Sequence, residues 1–331
     1  MDMTKLGGTG LVVSRIGLGL AALGRPGYIN IGHGDDLRNG RDVGAMEAHA
    51  HAVLDAAWSS GVRYLDAARS YGRAESFLAS WLAARGVAPG SATIGSKWGY
   101  IYTAGWRIEA ERHEVKDHSI ATLGRQEAQS RAILGDHLSL YQIHSATLES
   151  GVLDDRSVLE ALGRLRDGGL AIGLSLTGPR QAETLRKALA IESGGRRLFG
   201  CVQATWNLLE PSAASALEEA HAAGLGVIVK EAMANGRLAG RNPDPDFAPA
   251  RAALASQSNR LGTTLDALAL AAALARPWVD VVLSGASTVD QLQSNLAAIA
   301  VRWDDEAERS LRPLAESPEG YWATRSRLPW N

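Results

Sequence analysis

The chain has 331 residues, 46% of them apolar and 21% charged, so a large core is feasible and global disorder is excluded. The net charge of −2, with no long run of one sign, offers neither nucleic acid nor an acidic membrane an electrostatic footprint. The lone Cys201 cannot form an internal disulfide, and the start, Met1 to Lys5, lacks the apolar stretch of a signal peptide. The longest helical apolar stretch, around Leu265 to Trp278, carries Asp266 and Arg276 and is too short to span a bilayer. These features lead us to expect a cytoplasmic protein of enzyme size, with no nucleic-acid or membrane partner; oligomeric state is not legible.

In chain order, residues 4–13 read as a hairpin with Gly at the turn. Strand-like and helix-like runs then alternate: strand 16–20, helix 45–59, strand 64–68, helix 74–85 and strand 92–97. A long excursion over 98–118 precedes helix 119–134, strand 138–144, helix 155–167, strand 171–176 and helix 180–191. Strand 200–205, helix 211–223, strand 226–231, helix 264–275, strand 279–285 and helix 289–299 complete the alternation. The tail 316–331 is rich in Pro and aromatics. Helices between successive strands imply a parallel sheet, and eight such units imply closure into a (β/α)8 TIM barrel, one domain over 1–331. The excursion after strand three and the tail should lie over the barrel mouth.

Three consecutive strands end in polar residues. Asp66 ends the second and is followed five residues on by Tyr71, Lys97 ends the third, and His144 ends the fourth. Burying a charge is costly without a partner, and the C-terminal mouth is where barrels of this kind build their sites. Alternation puts Tyr64 and Ala68 on the face of Asp66, Thr93 and Gly95 on that of Lys97, and Leu140 and Gln142 on that of His144. Gln203 faces inward with Cys201 and Thr205. An acid, a phenol, an amine and an imidazole converging there can move a proton next to a carbonyl. Taken singly, Asp66 and Lys97 would be a structural ion pair, Tyr71 a loop tyrosine and His144 a core histidine. His49 and His51 fall on diverging faces of a helix, so no metal site is expected.

Lys5-Leu6-Gly7, Thr9-Gly10-Leu11, the run Asp66-Ala67-Ala68-Arg69-Ser70-Tyr71-Gly72 with Glu75, the contexts of Lys97 and His144, and Gly285-Ala286-Ser287-Thr288 with Gln291 and Asn295 resemble, in that order, the aldo-keto reductase superfamily. The likeness covers nearly the whole chain. It implies an NAD(P)H-dependent oxidoreductase that interconverts an aldehyde or ketone with its alcohol. Tyr71 would be the general acid/base, assisted by Lys97, Asp66 and His144, with Lys97 lowering the phenol's pKa. NADP(H) is the cofactor implied, with NAD(H) as the alternative. The resemblance places Ser175, Gln203 and Lys230 near the nicotinamide, and Gly285, Ser287, Thr288, Gln291 and Asn295 near the adenosine half. The co-occurrence of Asp66, Tyr71, Lys97 and His144 with this cofactor-like segment, Gly285 to Asn295, reverses the structural readings that each has singly. Arg237 is a candidate partner for the 2′-phosphate. The chain departs from the family where Leu176 follows Ser175, where Lys230 replaces a stacking aromatic, and where Ser294 precedes Asn295. Trp98, Tyr100, Trp106 and Trp322 are the expected substrate wall. A sugar lactol dehydrogenase and a cofactor-sensing regulatory subunit are the alternative readings; a carbonyl or sugar is the expected small-molecule partner.

Overall fold

The computed structural model describes residues 1–37 and 40–331. Its centre is a closed barrel of eight parallel strands. We number the barrel strands alone: β1 Ile16–Gly19, β2 Tyr64–Asp66, β3 Thr93–Trp98, β4 Leu138–Ala146, β5 Ala171–Leu176, β6 Cys201–Thr205, β7 Gly226–Lys230 and β8 Val281–Ser284. Neighbours in space follow the chain, and β8 returns to pair with β1 through Val282 and Ile16. The connecting helices are α1 Val43–Ser59, α2 Ala74–Ala84, α3 Ile120–Leu134, α4 Arg156–Asp167, α5 Gln181–Leu189 and α6 Ala214–Ala222. They continue with α7 Ala248–Arg260, α8 Leu265–Leu274 and α9 Val289–Leu296. Several begin where a side chain satisfies a free N–H: Asp42 caps α1, Ser119 α3, Asp155 α4, Thr264 α8 and Thr288 α9.

Alternation along the strands separates two cores. Tyr64, Leu140, Cys201, Ile228 and Val281 fill the barrel, whereas Leu65, Ile94, Ile143, Val202 and Val229 pack outward against the helices. Strands Met3–Lys5 and Val12–Ser14 pair antiparallel and close the bottom of the barrel, where Leu6 and Val13 join the interior cluster. There Gly7, with φ +48°, lies so close to Gly226 that a side chain would collide with its backbone. With the bottom sealed, the open end is the C-terminal mouth.

Three parts of the chain lie outside the expected alternation. The excursion after β3 contains a hairpin, Tyr100–Tyr102 with Glu114–Lys116. Helix α7 adds a second helix between β7 and β8, α10 Asp305–Leu311 follows α9, and the tail folds into α11 Pro318–Ser326. Between β1 and α1 the chain makes one helical turn, His33–Asp36. Among the described residues, no helix is long and apolar enough to cross a membrane.

Candidate active site

The polar strand ends converge at the mouth. Lys97 is fully buried; its ammonium donates to Asp66 Oδ2 and, at 2.9 Å, to the carbonyl of Ala67. The other Asp66 oxygen accepts from Tyr64 Oη at 3.0 Å, Gln203 Nε2 at 3.0 Å and Gln142 Nε2 at 3.4 Å. A buried ion pair is tolerable only when its remaining hydrogen-bonding capacity is filled, and three neutral donors from three strands fill it here. The Tyr71 hydroxyl stands 3.4 Å from Lys97 Nζ and 3.4 Å from His144 Nε2. These contacts are long, as catalytic hydrogen bonds often are before a ligand tightens them.

Burial dominates the electrostatics. It holds the Tyr71 phenol well above the usual range, Asp66 adds to the effect, and Arg25 opposes it. The phenol is therefore protonated at neutral pH, the reverse of the depressed pKa expected from Lys97. Burial, then the charges of Lys97 and Arg25, hold His144 well below its usual range, so its ring is neutral. Ser70 Oγ lies 3.4 Å from His144 Nδ1. With Ser70 donating there, the ring proton sits on Nε2, beside the Tyr71 hydroxyl. Beyond His144 the β4 ladder breaks: Ser145 has φ +53°, and its N–H turns to Ser175 Oγ at 2.8 Å.

Tyr71, His144 and Asp66 line a cavity of about 280 Å³. Its cationic wall includes Arg25, Lys230 and Arg325. Arg25 is buried, pairs with Glu114 at 2.9 Å, and lies over the rings of Trp330 at 4.7 Å and Tyr71 at 5.2 Å. Lys230 donates to Thr205 Oγ1 at 2.8 Å, and burial lowers its pKa to about 8 despite neighbouring Glu231. Glu231, with φ +56°, is ion-paired by Arg325 from α11. Burial opposes its charge, but Arg325 prevails and brings its carboxyl to about 2.

From the cavity, Leu283 and Gly285 lead to the N-terminus of α9. A side chain at Gly285 would meet nothing within 4 Å, so the backbone there is open to a ligand. Asn295 donates to Ser284 Oγ at 2.9 Å, and its buried Oδ1 has no partner among the described residues. Thr288 caps α9 through the N–H of Gln291 at 3.2 Å. The open backbone beside the N-terminus of α9 suits the phosphates of a dinucleotide, and the free Asn295 acceptor suits one of its hydroxyl or amine donors. The cavity lies just below the usual range, roughly 300–1,000 Å³, which suits a nicotinamide end and a small substrate.

The model of the Aldo/keto reductase family matches residues 15–315. The chain belongs to this family. It is similar to an uncharacterised oxidoreductase of Bacillus subtilis, YrpG, with 27% identity over 97% of this chain and 99% of that one. It is equally similar to pyridoxal 4-dehydrogenase of Microbacterium luteolum, 27% identical over 94% of this chain and 96% of that one. In fold it resembles the holo form of an aldo-keto reductase from Bacillus halodurans, with TM-score 0.71, 23% identity, and 96% and 97% of the two chains covered. Family membership makes this protein a carbonyl/alcohol oxidoreductase, and aldo-keto reductases use nicotinamide cofactors.

Within this aldo-keto reductase, Ser175, Gln203 and Lys230 all line the cavity beside Tyr71. Arg237 is committed elsewhere: it pairs with Glu316 and lies over Phe247 and Tyr321. None of the residues expected on the substrate wall lines the cavity. Trp98 is fully buried in the layer between sheet and helices, edge-on to His118. Trp106 donates to the carbonyl of Arg41 at 2.7 Å, and Trp322 packs against Tyr321. Tyr100 comes nearest, with its ring 5.0 Å from that of His144. The cavity is lined instead by residues that include Arg25, Tyr28, Glu114, Arg325 and Trp330, none of them singled out by sequence. Arg25-Pro26-Gly27-Tyr28, in the loop after β1, carried one usable signal, a charged and aromatic loop at a strand's C-terminal end, and the tail expected over the mouth supplies Arg325 and Trp330.

Proposed function

We propose that this aldo-keto reductase reduces a small aldehyde or ketone, and oxidises the corresponding alcohol, with Tyr71 as general acid/base. The observation that carries the reading is the Tyr71 hydroxyl held between Lys97 and His144 on the wall of a cavity. The dihydronicotinamide, when bound, supplies the hydride. Ser175 and Gln203 would hold its carboxamide, and the N-terminus of α9 its adenosine half.

The protein's part is positioning and proton transfer. A carbonyl oxygen between Tyr71 Oη and His144 Nε2 accepts from both, which fixes its angle and stabilises charge as it develops. The tyrosine proton moves to the nascent alkoxide, a far stronger base than a phenolate. The phenolate left behind faces the Lys97 ammonium, which Asp66 keeps in place. In alcohol oxidation the proton returns along the same path. The cation and ring of Arg25 and Trp330 suit a compact, polar or aromatic carbonyl, and the likeness to a dehydrogenase of pyridoxal supports an aldehyde of that size. The test is steady-state turnover of aldehydes, ketones and sugars with NADH and with NADPH. Tight cofactor binding without turnover of any would replace this reading with that of a regulatory subunit.

A further inference from the structure

Ser287 and Gln291, expected near the adenosine half of the cofactor, already hold an anion of the protein's own together with Arg241. Asp36 Oδ2 accepts from Ser287 Oγ at 2.6 Å, and Oδ1 accepts from Gln291 Nε2 at 2.8 Å. Arg241 donates through Nη1 to both oxygens, at 2.7 and 2.9 Å. Burial opposes the charge of Asp36, but the bonds from Arg241, Ser287 and Gln291 outweigh it and hold the carboxyl below its usual range.

The placement is built. Asp36 ends the turn His33–Asp36, which is rooted by a fully buried His33. The N–H of Gly34 donates to Asn331 Oδ1 at 2.8 Å, and that of Ile31 to the carbonyl of Asn235 at 3.0 Å. At Gly32, with φ +75°, a side chain would stand 3.2–3.4 Å from the Arg241 guanidinium, so the turn needs glycine to bring Arg241 and Asp36 together. Loops after β1, β7 and β8 thus meet on a single carboxylate.

We infer that Asp36 selects NAD(H) over NADP(H). The inference rests on the dinucleotide reading above, with the adenosine ribose at Ser287 and Gln291. Ribose hydroxyls can take the place of Ser287 or Gln291 as donors to the Asp36 carboxylate, whereas a 2′-phosphate brought to the same place meets a like charge. Arg241 Nη1, which donates to both Asp36 oxygens, is not free for a phosphate while that pair stands. The NADP(H) preference implied by the resemblance is therefore reversed by one residue from another loop.

The test is titration of wild type, Asp36→Asn and Asp36→Ser with NADH and NADPH, read by quenching of tryptophan fluorescence. Wild type should bind NADH at least about tenfold more tightly than NADPH, roughly 1.4 kcal/mol. Both variants should bind NADPH at least about tenfold more tightly than wild type does, because Arg241 is released to the phosphate, and should lose a few-fold of NADH affinity. Unchanged melting temperatures and retained NADH binding will show that they fold. Preference of wild type for NADPH, or an unchanged affinity ratio in both variants, overturns the role of Asp36 and leaves the dinucleotide site intact. Failure of wild type to bind either cofactor overturns the dinucleotide reading, and this inference with it.

Discussion

Replacing Tyr71 by Phe separates chemistry from structure, because the hydroxyl contributes little to the fold. Its contacts with Lys97 and His144 are both 3.4 Å, and Lys97 keeps Asp66 and the Ala67 carbonyl without it. Loss of such long contacts should cost at most about 1 kcal/mol of stability. The ring still fills its place edge-on to His144 at 5.4 Å, so the cavity keeps its shape. Catalysis should suffer far more: a positioned general acid is worth roughly 10²–10⁴ in rate, or about 3–5 kcal/mol in the barrier. Because proton donation belongs to the transition state, kcat and kcat/KM should fall together, with cofactor affinity within about twofold of wild type. The assay is oxidation of the reduced cofactor at 340 nm with a turned-over aldehyde, alongside fluorescence titration and thermal melting. Turnover within about threefold of wild type in a folded, cofactor-binding Tyr71→Phe would refute the role given to this residue.

Trp98→Ala should cost about 3–5 kcal/mol, read by urea denaturation, and leave the ranking of substrates unchanged, because Trp98 is core rather than wall. Trp330→Ala should do the converse, shifting relative kcat/KM across an aldehyde panel with little loss of stability, since Trp330 lies half-exposed against Arg25 and the His113 ring. Arg325→Met should destabilise by about 1–3 kcal/mol at pH 7, because it leaves the largely buried Glu231 carboxylate with only Lys230 at 3.9 Å and Thr205 Oγ1 at 3.2 Å as partners. The Glu231 carboxyl is depressed to about 2 in the fold, so that stabilisation is complete above its unfolded value of about 4.3 and drains away as pH falls toward 2. The destabilisation in Arg325→Met should therefore shrink in acid. Lys230, with a pKa brought to about 8, should favour a carboxylated aldehyde such as 4-carboxybenzaldehyde below that pH; KM should rise through pH 8 in wild type and stay flat in Lys230→Met.

The periods of the chain carried the barrel. Each of the eight expected strands has its counterpart within about two residues, because period-two runs and helix punctuation such as Ser119 and Thr264 are local signals. Helix α7 escaped because its apolar residues do not gather on one face. The tail escaped because Pro and aromatics read as irregular, although Pro318 occupies the first turn of α11, where proline is tolerated. At the site, parity was the better guide. Lys97 facing inward puts Trp98 on the helix side, whereas closeness along the chain suggested the opposite. Arg25 and Trp330 come from opposite ends of the chain, and nothing local to either announces that they meet.

The pairing of Glu231 with Arg325 shows how the departures from the family's pattern fit one another. Lys230, where an aromatic is usual, brings a positive charge to the cavity, and Glu231 beside it carries a compensating negative one. That carboxylate would repel negative charge developing on a carbonyl oxygen if it faced the cavity alone. Arg325 prevents this by engaging both its oxygens, while Asn207 ties the Glu231 carbonyl at 2.9 Å and the Tyr321 hydroxyl at 3.0 Å. The strained backbone at Glu231 is thus held by α11, and α11 by the strain-bearing loop. A replacement at Lys230 alone would leave the acid and the arginine without their third charge. The three residues function as a set, and that set, more than the Asp66–Tyr71–Lys97–His144 group, gives this cavity its own electrostatic character.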